Sequence, residues 1–167
     1  MGPAFRRGDA VSESFDELPE SVGRIVHGEP FQISSDDLQL FERATWLDKA
    51  YPDEIAEFPD TLVEGFMLLS LLDPILRMAV GESARVQWGL NYGLDRVRFV
   101  SPIHVGDTVL SRFETVEVQP KDLGFKVLRH CELTVEGQDH PAMVADWWGF
   151  VLPRGILERE RRDDAVE

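Results

Sequence analysis

Between Leu62 and Val80 the chain runs LVEGFMLLSLLDPILRMAV, apolar on nearly every face a helix could present. Such a helix offers no face to water, so it predicts an element buried all round and a domain built about it. Gly81 follows as a terminator. The most apolar part, residues 65–72, is far short of the roughly 20 residues that cross a bilayer.

The rest of the chain supplies the cover. Ser34-Ser35-Asp36-Asp37 is a capping cluster ahead of a helix ending near Thr45. Pro52-Asp53-Glu54 predicts a second, short helix, with Pro near its first position and acids in its first turn. In the second half, residues 108–118 and 125–135 alternate as half-buried strands, joined by a hairpin loop over 119–124. A turn at 136–139 leads into a strand over 142–152, and residues 87–99 form another, stopped by Ser101-Pro102. Antiparallel strands around one buried helix make an α+β domain. We expect a flexible tail over 1–14, one domain over 15–153, and a charged tail over 154–167.

Charge excludes several functions. Seventeen basic against 31 acidic residues leave a net charge of −14, which argues against nucleic acid or anionic membranes as partners. A 43% hydrophobic share nevertheless provides a core. Cys131, the lone cysteine, cannot form an intramolecular disulfide, and no apolar run follows Arg6 and Arg7, so a cytoplasmic location is expected. His27, His104, His130 and His140 lack metal-ligand spacing, and neither a metal nor a cofactor is expected. Strand alternation sends Cys131 and His130 to opposite faces, and Trp147 and Trp148 likewise. Arg96, Arg98, Arg112, Lys121, Lys126 and Arg129 fall within the strand half. They fit a phosphate-accepting edge, and equally cross-strand pairing with Glu114, Glu117 and Glu132.

The block NYGLDRVRF at residues 91–99, followed by SPIHVGD at 101–107, resembles the MaoC-like dehydratase family, most of all its nodulation-protein-N branch. Residues 64–72 and the segment HPAMVAD at 140–146 agree, and the likeness covers about residues 15–152. The resemblance implies a hot-dog fold, in which an antiparallel sheet wraps a long central helix, and a homodimer or a heteromer with a related subunit. It also implies an acyl thioester of coenzyme A or acyl-carrier protein as ligand, and reversible hydration of a 2-enoyl thioester. In that family an Asp and a His handle the water, while a glycine N–H at the helix start polarises the thioester carbonyl.

Gly65 matches that glycine. The acid–base pair has no match: against Thr-Gly-Asp and Ile-His-x-Asp-Pro-Glu the chain reads TWLDKAYPDE at 45–54. Leu47 stands where the Asp belongs, and Ala50 or Tyr51 where the His belongs. Asp48, one residue on, is a candidate rebuilt base or a solvated loop acid. Glu64 is a placed acid–base group or a complement to the helix dipole. Asp73, eight residues after Gly65, is a carboxylate of the kind some hot-dog thioesterases use, or an i,i+4 partner of Arg77 ahead of Pro74. Arg96 and Arg98 are candidate ligand contacts. Three functions stay open: an acyl-thioester hydratase or dehydratase with an altered site, a thioesterase, or a non-catalytic subunit that pairs with a catalytic partner.

Overall fold

The computed structural model describes residues 14–50, 61–81 and 87–153. The expected tails, apart from Ser14, and the helix expected to open at Pro52 lie outside these residues. Five strands, β1 (Ile25–Phe31), β2 (Gln87–Phe99), β3 (Val109–Lys121), β4 (Gly124–Val135) and β5 (Met143–Pro153), form one antiparallel sheet. Their spatial order is β1-β3-β4-β5-β2, which leaves β1 and β2 as edges.

Strands β2 to β5 lie where the sequence puts strands, β3 and β4 by alternation. The β3–β4 connection is tighter than the expected loop over 119–124: Gln119 and Pro120 pair with Lys126 and Phe125, and Lys121 faces Gly124. Only Asp122 and Leu123 turn the chain. Asp122 has φ 50°, a left-handed conformation that an aspartate adopts more readily than most residues. β1 and a 3₁₀ turn over Phe15–Glu20 carry little pattern in the sequence, since β1 buries Val26 alone.

Helix α1 (Ser35–Thr45) begins at its expected cap. The Asp37 N–H donates to Ser34 Oγ at 3.2 Å, and the Ser34 N–H donates back to Asp37 Oδ2 at 3.0 Å. Trp46 turns left-handed at φ 64°, and the short helix α2 (Leu47–Ala50) packs back on α1.

The apolar segment forms two helices, α3 (Gly65–Ser70) and α4 (Leu72–Val80), divided at Leu71. Pro74 explains the division. It has no N–H for the Ser70 carbonyl, and its ring opposes that carbonyl, so it fits only within the first turn of a new helix. Met67, Leu68, Leu72, Ile75, Leu76 and Val80 enter the main core, where the sheet contributes Val26, Val109, Phe113, Cys131, Leu133 and Trp147. Burial pushes the Cys131 thiol up to about 12, so this cysteine is a packing residue.

The segment is not buried all round, contrary to its composition. Phe66 is 76% exposed and Met78 54%, and with Ser70 and Pro74 they form an open stripe spaced by four. The single sheet curls about one side of the helices and leaves this side uncovered.

Candidate active site

The start of α3 is held by a short ladder. The Val63 N–H donates to the Ile103 carbonyl at 2.9 Å and the Val105 N–H to the Thr61 carbonyl at 2.6 Å, with Leu62 bridged to His104. Asp107 ties the turn beneath it, accepting from the His104 N–H at 2.8 Å. His104 Nδ1 meets Thr61 Oγ1 at 3.1 Å. The SPIHVGD segment thus serves as a clamp that fixes where the helix begins.

Glu64 is the N-cap of α3 in extended conformation, and its side chain caps nothing. Gly65 is the first helical residue, so its N–H has no acceptor within the helix. Among the described residues none elsewhere accepts from it either. A methyl group at Gly65 would lie 2.9 Å from the Phe99 ring, so the absent Cβ is filled by this half-exposed aromatic. Phe99 was missed as a site residue, although it ends the NYGLDRVRF block; nothing in one sequence places a strand's last residue over a helix start.

The other candidates are dispersed. Asp48 is exposed on α2, Leu47 half-buried and Ala50 exposed. Among the described residues no hydrogen bond or ion pair engages the carboxylate of Asp48 or of Glu64. Asp73 is held by Arg77, whose Nε lies 3.0 and 3.2 Å from its two oxygens, while Arg77 Nη2 donates to the Gly89 carbonyl at 3.1 Å. The pairing with Arg77 is therefore present. Asp73 also borders a cavity of about 390 Å³ between the helices and β2, with Phe66, Ser70, Asn91, Tyr92 and Trp147. Trp147 Nε1–H donates to Asn91 Oδ1 at 3.0 Å across this wall. A second, mostly apolar cavity of about 310 Å³ lies between β1, α1 and α4, beside Phe31, Leu40, Met67, Leu71, Ile75 and Met78.

A ladder of charge crosses the outer face of the sheet. Arg96 is ion-paired with Asp146, which accepts from His130 Nδ1–H at 2.8 Å. His130 faces Glu132 at 3.4 Å, and Arg112 reaches Glu132 at 3.8 Å and Glu114 at 2.7 Å. Cross-strand pairing therefore engages Arg96 and Arg112, while Arg98 donates to the Val97 carbonyl at 2.7 Å. Among the described residues no group of three His, Cys, Asp or Glu side chains is placed to hold a metal ion. No helix among them is long and apolar enough to cross a membrane.

A sheet of this order, wrapped about a helix whose first residue is glycine, defines a hot-dog protein, and solved structures agree. A hot-dog-like protein from Thermanaerovibrio acidaminovorans superposes with a TM-score of 0.60 at 14% identity, over 91% of this chain and 97% of that one. A MaoC-like dehydratase from Rhodospirillum rubrum gives 0.62 at 12% identity, over 80% and 93%. No family model matches the chain. Curated relatives are nearer in sequence. Nodulation protein N of Rhizobium leguminosarum bv. viciae is 32% identical over 158 residues, 86% of this chain and 98% of the relative. The 3-hydroxyacyl-thioester dehydratase Z of Mycobacterium tuberculosis is 33% identical over 144 residues, 80% and 93%. The chain belongs to the MaoC-like dehydratase family, in its nodulation-protein-N-like branch.

Proposed function

We propose that this chain is an acyl-thioester hydratase or dehydratase that interconverts a 2-enoyl and a 3-hydroxyacyl thioester, with its acid–base chemistry moved to the start of α3. One observation carries the reading: a Gly65 N–H and a Glu64 carboxylate that have no partner among the described residues stand side by side at the helix start. In this reading Gly65 N–H donates to the thioester oxygen and stabilises the charge of the enolate. Glu64 takes a proton from water as the oxygen bonds to C3, and delivers it to C2. Dehydration is the reverse. Asp48 is the alternative proton-handling group, and Arg98, exposed on β2, with Arg96, is a candidate contact for the ligand's polar end. The apolar 310 Å³ cavity suits an acyl chain. The reading requires no metal or cofactor, and it places the protein in the cytoplasm as a homodimer or a heteromer with a related subunit.

A second reading, thioester hydrolysis, is favoured by Asp73 at the 390 Å³ cavity, though its bond to Arg77 opposes use as a free nucleophile. A third, a non-catalytic subunit, is favoured by the unmatched Asp/His pair.

Assay of a panel of 2-enoyl-CoA esters separates the three. Loss of enoyl absorbance without thiol release is the expected result, thiol release marks hydrolysis, and activity only with a partner marks the subunit. Glu64→Gln keeps size and hydrogen bonding but removes the proton acceptor, so turnover is expected to vanish with ligand affinity retained. If Glu64 only complements the helix dipole, the variant loses about 0.3–1 kcal/mol of stability and keeps its turnover.

A further inference from the structure

The clamp at the head of α3 carries an imidazole with one nitrogen unengaged. His104 Nδ1 is held by Thr61 Oγ1 at 3.1 Å, and among the described residues nothing bonds Nε2. The other histidines are placed differently. His130 has carboxylates at both nitrogens, Asp146 at 2.8 Å and Glu132 at 3.4 Å. His27 is exposed on edge strand β1, and His140 is exposed ahead of β5. His104 is half-buried, and Asp107 fixes its backbone on both sides. Its N–H donates to Asp107 Oδ2 at 2.8 Å, and its carbonyl accepts from the Asp107 N–H at 3.0 Å.

Register brings this imidazole to the face that Glu64 occupies. Leu62 stands opposite His104, and the bonds that flank the pair are made by its neighbours, Val63 N–H to Ile103 and Val105 N–H to Thr61. That is the close kind of antiparallel pair, with both side chains on one face. Val63 and Ile103 take the other face and enter the core, 4% and 1% exposed. Glu64, next after Val63 and with ψ 132°, returns to the face of His104. Diagonal neighbours in such a ladder are about 7–8 Å apart. A water bonded to two partners spans about 5–6 Å between them, so one water fits between imidazole and carboxylate.

We infer that His104 is a second catalytic residue, whose Nε2 orients the water that Glu64 deprotonates. This rests on the hydratase reading and adds a group to it. With Nδ1–H donating to the Thr61 hydroxyl, Nε2 presents a lone pair to the water. In hydration one water hydrogen bonds Nε2, while the other passes to Glu64 as a proton and the oxygen forms its bond to C3. The hydrogen at Nε2 stays on the oxygen and becomes that of the 3-hydroxyl. Glu64 then gives its proton to C2, so His104 gains and loses none. A carboxylate alone would leave the water free to turn about one hydrogen bond, whereas two partners aim its oxygen at C3.

Hydration of 2-enoyl-CoA esters by variants of the full chain tests the assignment. His104→Ala is expected to lower kcat about 10²-fold. Added imidazole should restore part of that loss, and should do nothing for wild type or Glu64→Gln. His104→Gln, whose amide oxygen can accept the same hydrogen bond, should fall between wild type and His104→Ala. His27→Gln serves as a control and should turn over as the wild type does. Because His104 also belongs to the clamp, calorimetric titration with a saturated acyl-CoA ester, which cannot be hydrated, excludes a structural cause. Its affinity should be the same for wild type and His104→Ala. A kcat unchanged in His104→Ala overturns the inference. So does a loss of kcat matched by an equal loss of affinity, with imidazole restoring nothing. An active wild type with an equally active His104→Ala sinks this inference alone, whereas a wild type without turnover on any ester sinks the hydratase reading and this one with it.

Discussion

At the scale of single residues, Gly65 and Phe99 are one unit. The ring occupies the space in which a Cβ would stand, 2.9 Å away, and because Phe99 is 49% exposed it can swing outward. Gly65→Ala should therefore cost only about 1 kcal/mol, less than the full penalty of an overpacked core. For a chain of this length that is a fall in Tm of about 2–4 °C. The two sites must also be coupled. In Phe99→Ala the clash is gone, so adding Gly65→Ala should lower Tm no further, and thermal melts of the two singles and the double measure this. Strictly additive losses would mean that the ring does not fill the glycine's space. Sequence pattern alone marks Gly65, through its place at the head of an apolar run. It is silent on Phe99, whose role depends on a contact between chain segments 34 residues apart.

At the scale of elements, the outer face of the sheet is tied by Asp146, a carboxylate 3% exposed that joins β5 to Arg96 of β2 and His130 of β4. Burial alone would raise its pKa, but hydrogen bonds from His130 and Arg96 outweigh that and hold it below the usual value. A lowered folded pKa favours the folded state above the unfolded value, about 3.9 for Asp, and that contribution disappears as pH falls through the lowered one. Asp146→Asn should thus lose about 1–3 kcal/mol at pH 7. Its deficit against wild type should narrow below about pH 4. Denaturation from pH 7 down to 3 tests this; a deficit constant over that range would remove the ion pair from the account. The same strands explain what was legible. Alternation fixes β3 and β4 because Val109, Phe113, Cys131 and Leu133 face inward while Arg112, Glu114, His130 and Glu132 face outward. β1 escapes because His27-Gly28-Glu29-Pro30 holds no alternation at all. The family's acid–base pair is legible in the sequence only as a gap at Leu47, because pattern alone does not choose among Asp48, Glu64 and Asp73 to fill it.

At the scale of the whole molecule, the uncovered apolar surface is continuous with an unpaired sheet edge, and this corrects the reading of the central segment as buried all round. Composition cannot distinguish an apolar residue meant for the chain's own core from one meant for a partner. Phe66 and Met78 stand outside the core, as do Leu90 and Leu94 on β2, 46% and 45% exposed. Among the described residues β2 pairs only with β5, so its other side presents backbone donors and acceptors that a second strand can use. A second copy of the same edge, turned about a two-fold axis, satisfies both strands at once. Light scattering should therefore give a mass near twice 19.0 kDa. Leu94→Lys places a charge on that edge and should shift the mass toward the monomer without loss of helix or strand signal. The 390 Å³ cavity lies between the helices and β2, so a monomeric variant should also lose affinity for a thioester. A wild-type monomer at micromolar concentration would show that β2 stays solvated, and that one chain alone must close the cavity.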